Sequence, residues 1–179
     1  MKRLKIFFAV LFLTACVDKD EIYQNPPEDL MNQMALILPL ANDFVAKNQQ
    51  EALDNGVALT STQMELAKRV GIQHPDKIRL YYVTKLPFPE HPTLAKLAHE
   101  QGYSSPLMAA YTYGYGIWIR KQFQHDKELL AHEFIHVRQA EQLGLESQIK
   151  QYLMQLYIYG YADAPLEVEA YKEAPSYLN

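Results

Sequence analysis

The stretch LLAHEFIHVRQ, residues 129–139, constrains the fold more than any other part of the chain. Its apolar residues fall on every side of the helix that their spacing predicts, which is typical of a helix buried inside a domain. The same helix carries two histidines and a glutamate, and unpaired polar groups in an apolar interior cost several kcal/mol. The chain must therefore surround this helix and also supply partners for His132, Glu133 and His136.

The spacing of these three residues indicates a metal site. His132 and His136 are four residues apart, so a helix places both on one face with Cβ atoms roughly 5–6 Å apart. Two imidazoles at that separation can bind one zinc ion. Glu133 is rotated by roughly 100° from His132 and so flanks the ion instead of ligating it. The alternative is that both histidines hydrogen-bond to the backbone and that the helix holds no metal.

A catalytic zinc site needs a third protein ligand and an open position for water. The segment GYADAPLEVEAYKEA, residues 160–174, places Glu167 and Glu169 near the start of a predicted helix. Either carboxylate can complete the site from the residue pattern alone. Glu133 would then accept a proton from a zinc-bound water, as the H-E-x-x-H pattern implies for zinc hydrolases.

The segment from residue 112 to 171 resembles the gluzincin-type zinc metallopeptidases. In that group a helix after the H-E-x-x-H helix donates a glutamate ligand from an E-x-x-x-[D/N] pattern. The sequence EVEAY at residues 167–171 is similar and implies Glu167 as the third ligand. It departs from the pattern at Tyr171, where Asp or Asn is common, and Glu169 stays open as a rival ligand.

The resemblance implies a zinc-dependent hydrolase that acts on a peptide or protein substrate. One zinc ion would be held by His132, His136 and Glu167. Glu133 would take the proton of the attacking water and pass it to the leaving amine. In zincin-like folds the strand before the active-site helix pairs with substrate, and TYGYGIWI, residues 112–119, is that strand here. The donor that stabilises the oxyanion stays open among Tyr171, Tyr161, Tyr159 and His125.

The periodicity of the chain predicts an α+β class, dominated by helices and with a small sheet of two to four strands. The resemblance implies that this is a zincin-like domain. The active-site helix is expected at about residues 126–143. Another helix is expected over residues 28–53, and Pro39 should kink or break it. The predicted strands are residues 77–83 and residues 109–119, the second with two glycines inside it, which often marks a bulge or a close backbone approach.

The first residues, MKRLKIFFAVLFLTAC, are typical of a secretion signal, because a positive start precedes a short apolar run. The ending LTAC resembles the bacterial lipobox, which implies a signal peptide over residues 1–15 and a lipid on Cys16. Residues 16–28 are then the lipidated cysteine and a polar linker, and residues 29–179 are the metallopeptidase domain. The lipobox resemblance implies a location in the bacterial cell envelope, and because Val17 and not Asp follows the cysteine, it favours the outer membrane. The domain would be lipid-anchored in the outer membrane and face the periplasm.

Composition excludes several classes of function. Cys16 is the one cysteine, so an intramolecular disulfide and a cysteine-based zinc site are excluded. The net charge of -4 offers no basic face, so we expect no nucleic-acid partner. Two alternatives to the peptidase remain. One is a zinc hydrolase that acts on a non-peptide amide, and the other is an envelope interaction module, with or without metal, that has no catalytic activity.

Overall fold

The structure is a computed structural model that describes residues 18–102 and 108–178. Cys16 and the predicted signal peptide lie outside these residues. The described helices are α1 (Lys19–Gln24), α2 (Glu28–Asn55), α3 (Ser61–Val70), α4 (Pro92–Glu100), α5 (Lys127–Leu143), α6 (Leu145–Tyr159) and α7 (Pro165–Glu173). The described strands are β1 (Val57–Ala58), β2 (Arg79–Val83), β3 (Ala110–Tyr113) and β4 (Gly116–Arg120). The expected α+β class, dominated by helices, is confirmed.

The four strands form one mixed sheet in the order β1-β2-β4-β3. β2 and β4 are parallel, and the other two pairs are antiparallel. β4, the strand just before α5 in sequence, is therefore enclosed between two neighbours. Within the described residues, β3 is the strand at the edge of the sheet on the side of α5.

The prediction of one strand over residues 109–119 was wrong, because this segment is a hairpin. Tyr113 pairs with Gly116, which leaves Gly114 and Tyr115 as a two-residue turn. Gly114 has a φ of 56°, a left-handed conformation that favours glycine. Turns with glycine at the first central position suit the twist of a hairpin and connect adjacent strands tightly.

The two glycines of this hairpin make room for α2. A Cβ atom on Gly116 would lie 2.8 Å from the Cβ of Ala52, and one on Gly114 would collide with the side chain of Gln49. Gln49 instead accepts a hydrogen bond from Tyr115 N at 3.1 Å. The close approach that the glycines predict is thus made by α2.

The sequence predicted a kink or a break at Pro39, and the break does not occur, because α2 passes through this residue without ending. Proline has no N–H, so the turn around it lacks one main-chain hydrogen bond. Buried side chains hold the helix on both sides of this point, with Met34 and Ile37 before it and Ala41 after it. Tertiary packing therefore outweighs the local loss.

The predicted buried helix is confirmed as α5. Eleven successive residues, from Leu130 to Ala140, are buried. Asp126 caps the helix by accepting a hydrogen bond from Leu129 N at 2.9 Å, and Gly144 follows its last residue with a φ of 80°. The helix packs against α3, α6, α7, β3 and a 3₁₀ turn at Ala174–Leu178. It is the centre of the domain.

Residues 19–24, which the sequence assigned to a linker, form α1 and pack on α6. The hydroxyl of Tyr159 donates to Asp20 at 2.7 Å, and the rings of Tyr23 and Tyr159 meet edge to face. Lys19 donates to the main-chain oxygen of Tyr159 at 3.3 Å. Within the described residues, no helix is both long enough and apolar enough to cross a membrane.

The contact between Gly116 and Ala52 gives a test of the hairpin. We expect Gly116→Ala to destabilise the domain by about 1–3 kcal/mol, because the added methyl overpacks the contact with α2. In the Ala52→Gly background the same substitution should cost less, since the facing methyl is gone. Urea unfolding of the four proteins measures this coupling. If Gly116→Ala lowers the free energy of unfolding equally in both backgrounds, the contact with Ala52 is not the reason for glycine at this position.

Candidate metal centre

Three ligand-type side chains on two helices converge at one point. His132 and His136 come from α5, and their Nε2 atoms are 3.1 Å apart. Glu167 comes from the first turn of α7, with Oε2 3.3 Å from His132 Nε2 and Oε1 3.5 Å from His136 Nε2. All three side chains are buried, and together they form a group that could hold a metal ion.

These distances suit a tetrahedral ion. With bonds of 2.0–2.1 Å, two ligand atoms of a tetrahedral zinc lie roughly 3.3–3.4 Å apart. The three observed separations fall within a few tenths of an ångström of that value. Glu167 Oε2 is buried and has no hydrogen-bond partner among the described residues, as is also true of His132 Nδ1. A cation between the three side chains would satisfy the carboxylate oxygen.

The electrostatics of the group favour a bound cation. Burial by itself would raise the pKa of Glu167, but the imidazoles of His132 and His136 outweigh it and hold that pKa well below its usual range. Burial likewise opposes charge on His136, yet the hydrogen bond and charge of Glu167 raise its pKa to about 9. The buried carboxylate therefore stays ionised and attracts positive charge to this point.

The start of α7 is held in place by α6, which positions Glu167. Pro165 occupies the first turn, where its missing N–H has no partner to lose. The buried side chain of Gln155 accepts a hydrogen bond from Leu166 N at 2.9 Å. Tyr152, also on α6, donates to Glu167 Oε1 at 2.7 Å. Two side chains of α6 thus fix the helix end and the carboxylate that it carries.

Glu133 lies beside the three ligand-type residues and does not belong to their group. Its side chain is buried, and the hydroxyl of Thr112 on β3 donates to its Oε2 at 2.6 Å. Glu133 lines both cavities that open on the site, together with His132. This is the flanking position that the H-E-x-x-H spacing predicts for a proton acceptor.

Gln139 determines which nitrogen of His136 faces the site. Its amide nitrogen donates to the main-chain oxygen of Leu166 and to Glu169, both at 3.0 Å. Its amide oxygen therefore faces His136 Nδ1, at 2.8 Å, and accepts a hydrogen bond from it. In the neutral imidazole this leaves the lone pair on Nε2, the nitrogen that faces Glu167. Gln139 lies three residues after His136 on the same helix, so the sequence alone predicts that the two side chains are neighbours.

Glu169, the rival third ligand, points away from the histidines. Arg138 donates to Glu169 and, at 2.9 Å, to Glu173. The same guanidinium donates to Tyr177 Oη at 3.1 Å and to Val70 O at 3.2 Å. Arg138 and its partners therefore join α5 to α7 and to the chain terminus, and Glu167 alone of the two glutamates reaches the site.

The four proposed oxyanion donors separate into two groups. Tyr159 is bound to Asp20 at the α1–α6 contact, and His125 is an exposed residue beside Gln124. Tyr161 and Tyr171 are at the site, with their hydroxyls 3.2 Å apart. The ring of Tyr171 packs on the ring of His132, with 4.4 Å between their centroids. The residue that departs from the E-x-x-x-[D/N] pattern therefore also lies at the site.

Comparison with family models, with curated proteins and with solved structures found no match to this chain. The assignment of the site therefore rests on the sequence pattern and on the geometry described above.

A glutamate exchange on α7 tests which carboxylate completes the site. We expect Glu167→Gln to weaken zinc binding by at least about 100-fold, because the charged ligand is lost. Glu169→Gln, the same change two residues later, should retain zinc with at most a small loss. Equilibrium dialysis against a zinc chelator measures both. Loss of zinc in Glu169→Gln alone would reassign the ligand.

The role of Gln139 can be tested on the same helix. We expect Gln139→Leu to weaken zinc binding about 10- to 100-fold, because nothing then accepts the hydrogen bond of His136 Nδ1. Gln142→Leu is the matched control, since Gln142 is exposed on α5. Chelator competition gives the affinity, and thermal unfolding of the metal-free proteins shows whether each variant folds. Equal zinc affinity in the two variants would contradict the role given to Gln139.

Proposed function

We propose that this protein is a zinc-dependent hydrolase and, more specifically, a peptidase. The observation that carries the proposal is the convergence of His132, His136 and Glu167 with Glu133 at their side. A buried site that served only structure would have no use for an additional carboxylate aimed at the same space. The resemblance to gluzincins, based on the H-E-x-x-H pattern and Glu167, leads to the same reaction class.

The chemistry divides between the metal and Glu133. When bound, a zinc ion supplies a Lewis acid that acidifies water and polarises a carbonyl group. Glu133 accepts the proton of the attacking water on its carboxylate and later delivers it to the leaving nitrogen. Thr112 fixes the carboxylate through the hydrogen bond to Oε2 and limits its rotation. His132, His136 and Glu167 are the residues that would hold the ion.

Tyr161 is the best-placed donor for the oxyanion. It lines both cavities at the site, and its hydroxyl is hydrogen-bonded to Tyr171. Burial, together with the charge of Glu167, raises the pKa of Tyr161, so the hydroxyl keeps its proton. A protonated hydroxyl can donate to the negative oxygen that develops during amide hydrolysis.

The edge strand β3 offers a surface for a peptide. Arg120 N donates to Ala109 O at 2.9 Å, so the main-chain groups of Ala109 are directed toward β4. Alternation along an antiparallel strand then directs those of Ala110 and Thr112 to the outer edge. Both residues line a cavity that Glu133 also lines. An extended peptide paired with this edge would pass directly over the site.

We further propose that Cys16 is lipidated and holds the domain at a membrane of the bacterial envelope. α1 begins at Lys19, and it packs on α6 through Tyr159. The chain between Cys16 and α1 spans about 10 Å at most, at roughly 3.3–3.6 Å per residue. A lipid on Cys16 would therefore keep the catalytic domain close to the bilayer surface and favour substrates found there.

Replacement of Glu133 separates metal binding from catalysis. We expect the zinc-loaded chain to hydrolyse a mixture of peptides, and Glu133→Gln to retain zinc but lose 10²- to 10⁴-fold in rate, because proton transfer is lost. Glu146→Gln, at an exposed position of α6 that lines neither cavity, is the matched control. Mass spectrometry follows the peptides and the bound zinc. Bound zinc with no hydrolysis of any peptide would favour the metal-binding module without catalytic activity.

A further inference from the structure

An apolar cavity extends from the candidate metal centre into the space between α2, α4, α6 and β3. The cavity has a volume of about 150 Å³. Four site residues line one end of it: His132, Glu133, His136 and Glu167. The walls away from that end are almost entirely apolar. They include Phe44 and Val45 from α2, Leu97 and Ala98 from α4, and Ile149 and Leu153 from α6.

Apart from the histidines, the charged side chains in the cavity walls are all negative. The charged groups that line this cavity, histidines aside, are Glu133 and Glu167, both at the metal end. A second cavity is also lined by His132 and Glu133, and Asp126 and Glu128 contribute to its walls. No lysine or arginine lines either cavity within the described part of the chain. Apart from the two histidines, which the proposed metal would occupy, an acidic group in the cavity would therefore meet only carboxylates.

We propose that the cavity binds a large, uncharged apolar group of the substrate, with the shape of a leucine or phenylalanine side chain. This rests on the proposed function, because it assumes that the hydrolysed amide lies at the metal centre. The cavity is continuous with that centre, so a substrate bound there directs one group into it. An apolar cavity of this size holds a group as large as benzene. A carboxylate in the same position would be repelled by Glu133 and Glu167.

The residues that select this group come mainly from helices outside the H-E-x-x-H segment. α2 and α4 both precede the hairpin in sequence and supply Val45, Leu97 and Ala98. Ala98 is buried and small, so a larger side chain there would occupy the cavity without touching the metal-binding residues. Leu97 is half-buried on the same helix and lines the same wall.

Hydroxamates test the inference without knowledge of the natural substrate, since they chelate zinc and carry a chosen side group. The purified zinc-loaded chain would be titrated calorimetrically with acetohydroxamate, isocaproic hydroxamate, hydrocinnamic hydroxamate and succinic monohydroxamate. We expect the two apolar compounds to bind about 10- to 100-fold more tightly than acetohydroxamate. Succinic monohydroxamate should bind no more tightly than acetohydroxamate. Equal affinity for all four compounds would overturn the inference and leave the zinc site intact.

Filling the cavity gives the second arm. We expect Ala98→Phe to remove the preference for the apolar compounds while zinc and acetohydroxamate still bind. Ala46→Phe, at an exposed position of α2, is the matched control and should keep the preference. If Ala98→Phe does not fold, Leu97→Ser takes its place as a milder change of the same wall. We expect it to reduce the preference for the apolar compounds about tenfold. An unchanged preference in folded Ala98→Phe would contradict the placement of the apolar group.

The two proposals fail in different ways. If the chain binds zinc and acetohydroxamate but shows no preference among side groups, the metal centre stands and the apolar site is wrong. If the folded chain supplied with zinc binds no hydroxamate at all, the proposed hydrolase is wrong and the inference about its substrate is wrong with it.

Discussion

The burial of α5 is the constraint on which the rest of the structure depends. This helix has no solvent face along its middle, and His132, Glu133 and His136 lie within that part. Each polar group there loses its contact with water and needs a partner of the right kind. The surrounding elements therefore have to supply apolar contacts and specific polar groups at the same time. The positions of β3, α6 and α7 around α5 can be understood from this double requirement.

The partners come from different parts of the chain. β3 supplies Thr112 to Glu133, α7 supplies Glu167 to the histidines, and α6 supplies Tyr152 to Glu167. α5 itself supplies Gln139 to His136. Such outer contacts set the orientation of ligating side chains, and they make the site more rigid than its three ligand-type residues alone would be. Two atoms of the site, His132 Nδ1 and Glu167 Oε2, have no hydrogen-bond partner among the described residues, and the ring of His132 packs against the ring of Tyr171.

The sequence predicted the parts of the fold that depend on local chemistry. At α3 the local chemistry is of the kind that a sequence shows directly: Thr60 and Gln63 have the spacing of a capping box and form one, and Gly71 ends the helix in a left-handed conformation. The limits of α5 follow from Asp126 and Gly144 in the same way. Features that depend on distant contacts were not predicted. The hairpin packs on α2 through Gly114 and Gly116, and α1 packs on α6 through Tyr159, and neither contact can be read from the local sequence.

For the third ligand-type residue, too, the sequence predicted the local part and not the part that depends on distant contacts. Glu167 and Glu169 are two residues apart, so a helix directs them roughly 200° apart and only one can face the histidines. The sequence places both on the right helix but does not say how that helix is rotated. The rotation is set by Arg138, which binds Glu169 on the other side of α7. A buried arginine needs a carboxylate, and that requirement was the available signal.

The central claim is that His132, His136 and Glu167 bind one zinc ion together. X-ray absorption at the zinc edge of the purified, zinc-loaded chain tests this most directly, because it reports the ligand atoms and their distances. The account predicts two imidazole nitrogens near 2.0–2.1 Å together with oxygen ligands at about 2.0–2.2 Å, and no sulfur. A folded chain that binds no zinc, or zinc without imidazole ligands, would contradict it.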